Sequence, residues 1–168
     1  GILCIKYSLS TDSLKIFLMH RQILKTKPKK IMFLTYWYPT AGDPLNGIYV
    51  KEHARAVSLC DNQVVIMQTL GYDRSMNKLY DFSDEQEDGF RVIKFKYRKL
   101  PIPKASYINY IYSGISIFRW LVKKGGFRPD IIHAHVFSSG ILAIILGKMY
   151  RIPVIITEHY AGIVERRL

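Results

Sequence analysis

The sequence predicts an α/β fold, a parallel sheet covered by helices on both faces. Three observations lead there. Short apolar runs of strand length recur along the chain, each closed by proline, glycine, asparagine or charged residues. Longer segments between them repeat their apolar residues at helical spacing. The order strand, helix, strand, helix, strand is that of a parallel sheet.

The first run, Ile31-Met32-Phe33-Leu34-Thr35-Tyr36, lies between lysines and Pro39 and reads as a buried strand. Pro39 to Gly47 is a loop rich in proline and glycine. Gly47 to Cys60 reads as a helix, with Val50, Ala54 and Val57 on one stripe and His53 at its flank as a surface or packing residue; Asp61-Asn62 ends it. Gln63 to Gln68 is the second strand, and Phe90 to Tyr97 the third, nearer an edge. The stretch between them holds Asp81, Asp84, Glu85, Glu87 and Asp88 and is expected to be a solvated loop. Pro101 and Pro103 precede a long helix from Ser106 to Lys124, which stops at Gly125-Gly126. Its Ile108, Ile111, Ile115, Phe118 and Val122 form a wide apolar face, expected to pack on the core. Asp130 to His135 is the fourth strand. Ser138-Ser139-Gly140 opens a helix from Ile141 to Tyr150, and Pro153 to Thr157 is the fifth strand.

The chain has 168 residues, enough for one domain with a real core. Its net charge is +12, half of it in residues 1–30, where seven basic side chains face Asp12 alone. A second basic cluster runs through Arg91, Lys94, Lys96, Arg98, Lys99 and Lys104. Such a balance suits an anionic partner: nucleic acid, an anionic membrane face or a phosphorylated small molecule. The aromatic-rich helix, with Tyr107, Tyr110, Tyr112, Phe118 and Trp120, is compatible with docking on anionic lipid, but core packing is the preferred reading of it. The longest uncharged run, Ile131 to Gly147, is interrupted by His133, His135, Ser138, Ser139 and Gly140 and falls short of a membrane span. Cys4 and Cys60 lie far apart with no CxxC pair, which excludes a cysteine zinc module and a disulfide-dense scaffold. Residues 1–28 are expected to be a peripheral basic extension. Residues 29–168 are expected to form one domain, incomplete at its carboxyl end.

In an open parallel sheet, ligands gather outside the carboxyl ends of the strands. His133 and His135 stand two apart and so share one face of the fourth strand. Glu158 and His159 follow the fifth. Histidines and a carboxylate at adjacent strand ends suit metal binding, or acid–base and hydrogen-bond work on a polar substrate. The helix start at Asn46-Gly47-Ile48 offers N–H groups and a dipole to a phosphate.

Two segments carry a resemblance. Pro129-Asp130-Ile131-Ile132-His133-Ala134-His135, followed by a helix and then Ile152-Pro153-Val154-Ile155-Ile156-Thr157-Glu158-His159, resembles the amino-terminal domain of the retaining GT-B glycosyltransferases of the family 4 type. The first strand, Tyr38-Pro39, and Asn46-Gly47-Ile48-Tyr49-Val50-Lys51-Glu52-His53 are similar to that family's first strand, donor-phosphate loop and first helix. The loop departs from the commoner paired-glycine form, since Gly42 and Gly47 stand apart. The resemblance implies a Rossmann-like half of a two-domain enzyme that moves a sugar from a nucleotide-sugar donor to a glycan or lipid-linked glycan at the cytoplasmic membrane face. It implies that His159 is the active-site histidine facing the transferred sugar. Asn46 and Gly47 would lie by the donor diphosphate, and His135 and Glu158 in the acceptor cleft. No metal or other cofactor is implied. A carboxyl-terminal domain would supply the donor site, so the 168-residue chain is expected to be inactive alone. Two rivals stand beside this reading. One is a metal hydrolase using His133, His135 and His159. The other is a basic nucleic-acid-binding domain, which ranks last because no recognition motif accompanies the charge.

Overall fold

The computed structural model describes residues 27–40 and 42–158. Most of the expected basic extension, and His159 with the residues after it, lie outside them. Six strands form one sheet in the order β3-β4-β2-β1-β5-β6: β1 (Lys30–Thr35), β2 (Gln63–Asp73), β3 (Tyr80–Glu87), β4 (Phe90–Arg98), β5 (Ile131–His135) and β6 (Val154–Thr157). All neighbours are parallel except β3, which runs antiparallel to β4. Three described helices cover it: α1 (Ile48–Ser58), α2 (Pro103–Lys123) and α3 (Phe137–Tyr150). This is the expected mixed α/β architecture, a Rossmann-like, mostly parallel sheet with helices on both faces.

The pleat divides the core in two. Met32, Leu34, Val65, Met67, Ile93, Phe95, Ile132 and Ala134 face α2 and α3. Phe33, Ile66 and Val92 face the other way, under Val50 and Ala54 of α1. Register follows from this alternation. Phe33 pairs with Ile66 on one side and with His133 on the other, which sets that histidine on the α1 face.

Two expectations are corrected. Residues 80–87 are not a loop but β3, an edge strand with a charge ladder. Arg91 makes paired bonds to Asp84 at 2.9 and 2.8 Å, and Lys94 binds Glu85 at 3.1 Å and also Glu87. Tyr80 and Phe82 stand opposite Tyr97 and Phe95. The signal lay in Asp88-Gly89. With φ of 51° and 85°, the pair forms a two-residue hairpin turn whose backbone twist matches the strands it joins. The second correction concerns α2. Its buried stripe is Tyr110, Ser113, Ile117, Phe118 and Leu121, whereas Ile108, placed on the core face by its spacing, is 67% exposed. The helix is apolar on two sides. Smaller differences extend β2 to Asp73 and start α3 at Phe137.

The ladder gives β3 a pH dependence. The Ser83 hydroxyl first, and then Lys94, hold the Glu85 carboxyl below its usual 4.5. The stabilisation is therefore full above that pH and is lost as the pH falls through the lower folded value. Phe82 packs on Trp120 with ring centroids 4.7 Å apart, so tryptophan emission should report β3 loosening on acidification below the ordinary carboxylate range. An Asp84→Asn/Glu85→Gln variant should show the loosened signal already at neutral pH.

Candidate functional site at the carboxyl edge

The buried polar side chains of the sheet concentrate where β1 and β5 end, level with Gln68 and Thr69 of β2. Thr35, Gln68, Thr69, His133 and His135 are all buried there, together with Ser139 in the first turn of α3. Burying polar groups is costly unless something binds them. Gln68 Oε1 and Ser139 Oγ have no hydrogen-bond partner among the described residues. These two were missed in the sequence because glutamine and serine carry no motif. Only their position at strand and helix ends could have pointed to them.

His133 and His135 project from the same side of β5, their rings stacked with centroids 4.4 Å apart. His53 reaches them from α1, edge-on to both at 4.9 and 5.4 Å. Phe33 packs against all three rings at 4.9 to 5.4 Å. His53 is thus part of the cluster, whereas helical spacing alone makes it a surface or packing residue. Its place beside Val50 and Ala54, on the sheet-facing stripe, was the available signal.

The cluster tests the metal reading. Ring nitrogens of His53, His133 and His135 lie within 4.8 Å of one another. Imidazole nitrogens sharing a tetrahedral zinc at about 2.1 Å stand about 3.4 Å apart. The stacked rings of His133 and His135 face one another instead of converging. His133 Nε2 is moreover bonded to Thr157 Oγ1 at 2.7 Å, which ties β5 to β6. The arrangement suits hydrogen bonding better than metal ligation. His159, the third ligand of that rival reading and the catalytic residue of the preferred one, falls outside the described residues.

Glu158 is close to the histidine edge but has a local task. Its Oε2 accepts the Phe137 N–H at 2.9 Å and so caps α3. The cap follows a sharp backbone turn at Val136, whose φ of 71° is rare for a β-branched residue. The Tyr49 hydroxyl is pushed above its usual 10.0 by burial and then by the charge of Glu158. Glu158 therefore lies in electrostatic reach of the start of α1.

At that start, Gly47 is left-handed with φ of 69°. The Asn46 N–H donates to Asp43 Oδ1 at 3.2 Å, and the Ile48 N–H to the Leu45 carbonyl at 3.2 Å. Of the N–H groups at this helix start, that of Ile48 is thus engaged within the loop. The structure brings His135, His133, Glu158 and the Gly47 helix start to one edge of the sheet. Asn46 itself is exposed.

No curated protein matches the chain. Among solved structures it is similar to the C-terminal domain of a hydrogenase from Pyrococcus furiosus, with 17% identity, coverage of 81% of this chain and 97% of that one, and a TM-score of 0.48. Residues 47–167 match the glycosyl transferase 4-like domain, from the helix start at Gly47 through the histidine-bearing strand β5 and past β6. That match spans well over half of the sequence and all of the edge described above except the residues of β1 and the loop that follows it, and the chain belongs to this family of glycosyltransferase domains.

Proposed function

We propose that the protein is the acceptor-side half of a retaining enzyme that moves a sugar from a nucleotide-sugar donor to a glycan or a lipid-linked glycan. The observation that carries this reading is the polar carboxyl edge, with His135 buried on the α1 face of a glycosyltransferase 4-like sheet and Gln68 and Ser139 also buried near it. Sugar transfer passes through an oxocarbenium-like state, while negative charge grows on the departing diphosphate. The positive end of the α1 dipole at Asn46 and Gly47 stabilises that charge. His135 binds sugar hydroxyls from the floor of the cleft, and Glu158 borders the acceptor side. His159, the residue after Glu158, takes the catalytic place that the resemblance gives it.

In this reading charge is handled by helix ends and basic side chains, with no metal or other cofactor and with the nucleotide-sugar as co-substrate. A second, carboxyl-terminal domain holds the nucleotide, residues 1–28 are a basic extension, and residues 29–168 alone turn over poorly. The acceptor is met at the inner, cytoplasmic face of a membrane, and nucleic acid is not a partner. The test is radiolabelled transfer by the full-length gene product, with a panel of nucleotide-sugars and glycan or lipid-linked acceptors. A product that keeps the donor's anomeric configuration is expected. Hydrolysis without transfer across the whole panel would sink the proposal, and an inverted anomer would overturn retention.

A further inference from the structure

We infer that the outer face of α2, with the adjoining ends of β3 and β4, is a docking surface for an anionic lipid bilayer. It deepens the membrane contact of the reading above and rests on that reading only for what it says of the acceptor.

A helix on the surface of a sheet ordinarily turns charged side chains outward. Here α2 turns Ile108 and Tyr112 outward, with Tyr107 beside them, while its opposite side fills the core with Tyr110, Ile117, Phe118 and Leu121. Ile102 just before the helix is 64% exposed, and Leu79 is exposed too. These are one patch. Asn109 Nδ2 donates to the carbonyls of Leu79 and Arg98, both at 2.9 Å, which holds the helix against the start of β3 and the end of β4. The rings of Tyr112 and Tyr80 meet at 6.2 Å across an open groove lined by Lys78, Leu79 and Phe82. An exposed cluster of large apolar side chains of this kind marks an interaction surface.

Charge identifies the occupant. Lys78, Arg98, Lys99 and Lys104 surround the patch, and none is in an ion pair among the described residues. Lys99 instead lies over the Tyr72 ring at 4.3 Å. The acids nearby are Asp81, in the groove, and Asp73, already bound to Lys96 at 3.7 Å. The acids of β3 that neutralise Arg91 and Lys94 sit at the far end of that strand. Unpaired cations around tyrosine and isoleucine suit the headgroup layer, where amphipathic rings and lysine stems sit between acyl chains and anionic phosphates. No described helix is long and apolar enough to cross a membrane, so the contact is peripheral.

The patch lies at the same end of the parallel strands as His135. From β4 across β2 and β1 to β5 is three strand spacings, about 14 Å. A docked domain would turn the carboxyl ends of the strands towards the headgroups, with the histidines on the α1 face, across the sheet from the patch.

Vesicle flotation tests this without any turnover, so its failure is separable from failure of the transferase reading. The protein should float with vesicles of phosphatidylcholine plus phosphatidylglycerol at low salt, and less at high salt or with phosphatidylcholine alone. Ile108→Asp/Tyr112→Asp should weaken partition by about tenfold or more while circular dichroism and the melting temperature stay unchanged. Arg98→Glu/Lys104→Glu should remove the low-salt advantage, and Leu45→Asp, at an exposed site in the β1–α1 loop, should change nothing. The inference is overturned if the Ile108/Tyr112 variant floats like the parent, which would place the attraction elsewhere, such as the basic residues 1–30. It is equally overturned if the parent does not float, or if the patch instead drives self-association that the same variant abolishes.

Discussion

Gly47→Ala is expected to lower stability by about 3 kcal/mol or more, from two independent causes that act at one atom. The φ of 69° is a left-handed conformation that costs a residue bearing a Cβ about 1 kcal/mol or more. That Cβ would also lie 2.3 Å from the Trp37 carbonyl oxygen and 2.7 Å from the Tyr38 nitrogen, both backbone atoms that cannot swing aside. The contact is close because β1 leads directly into a loop whose Tyr38 is buried against Val50 and Ala54 of α1. The glycine lets the helix start press on that loop. Relieving the clash would shift α1, and with it His53, away from His133 and His135. Thermal melting should show a fall of about 6–12 °C. Gly42→Ala is the control: its Cβ would meet nothing within 4 Å, and the change should stay within about 0.5 kcal/mol. A Gly47→Ala melt indistinguishable from the parent would mean that α1 is not pinned at this point. The wide separation of Gly42 and Gly47 thus has a packing explanation, since one of the two is required by the fold and the other is not.

The strands β1, β2 and β5 were legible as apolar runs largely buried on both faces, β4 by its alternating pattern, and β6 by its run Val154-Ile155-Ile156, although Ile155 and Ile156 are exposed. β3 was not, because an edge strand needs only one apolar stripe, and here Tyr80 and Phe82 supply it among acids. Its partners were visible all along as the basic residues Arg91 and Lys94. Cations read as an offer to a ligand are in part neutralised by β3 within the fold. The opposite error occurred on α2. Its apolar residues exceed what one face can bury, and periodicity alone cannot say which of two apolar stripes faces the sheet. At the site, His133 and His135 were legible from their strand, whereas His53 joins them only through the packing of α1. That proximity belongs to tertiary structure, and no local spacing encodes it.

His135→Ala is expected to reduce sugar transfer by about a hundredfold or more, the usual weight of a positioned hydrogen-bonding or acid–base group. His135 is fully buried on the carboxyl edge, between Phe33 and the ring of His133. Its loss leaves a gap in that stack, so some destabilisation will accompany the loss of rate, about 1–3 kcal/mol. Rate and stability must therefore be separated, and His133→Ala does so. His133 lies in the same stack with the same neighbours, but its Nε2 is committed to Thr157 and its position is two residues further from the edge. It should cost similar stability and less than about tenfold in transfer at a temperature where both variants are folded. Lowering the assay temperature should restore His133→Ala towards the parent rate and leave His135→Ala slow. If instead both variants lose transfer in proportion to their loss of stability, the histidine stack is packing alone, and the reacting sugar must be held by other groups.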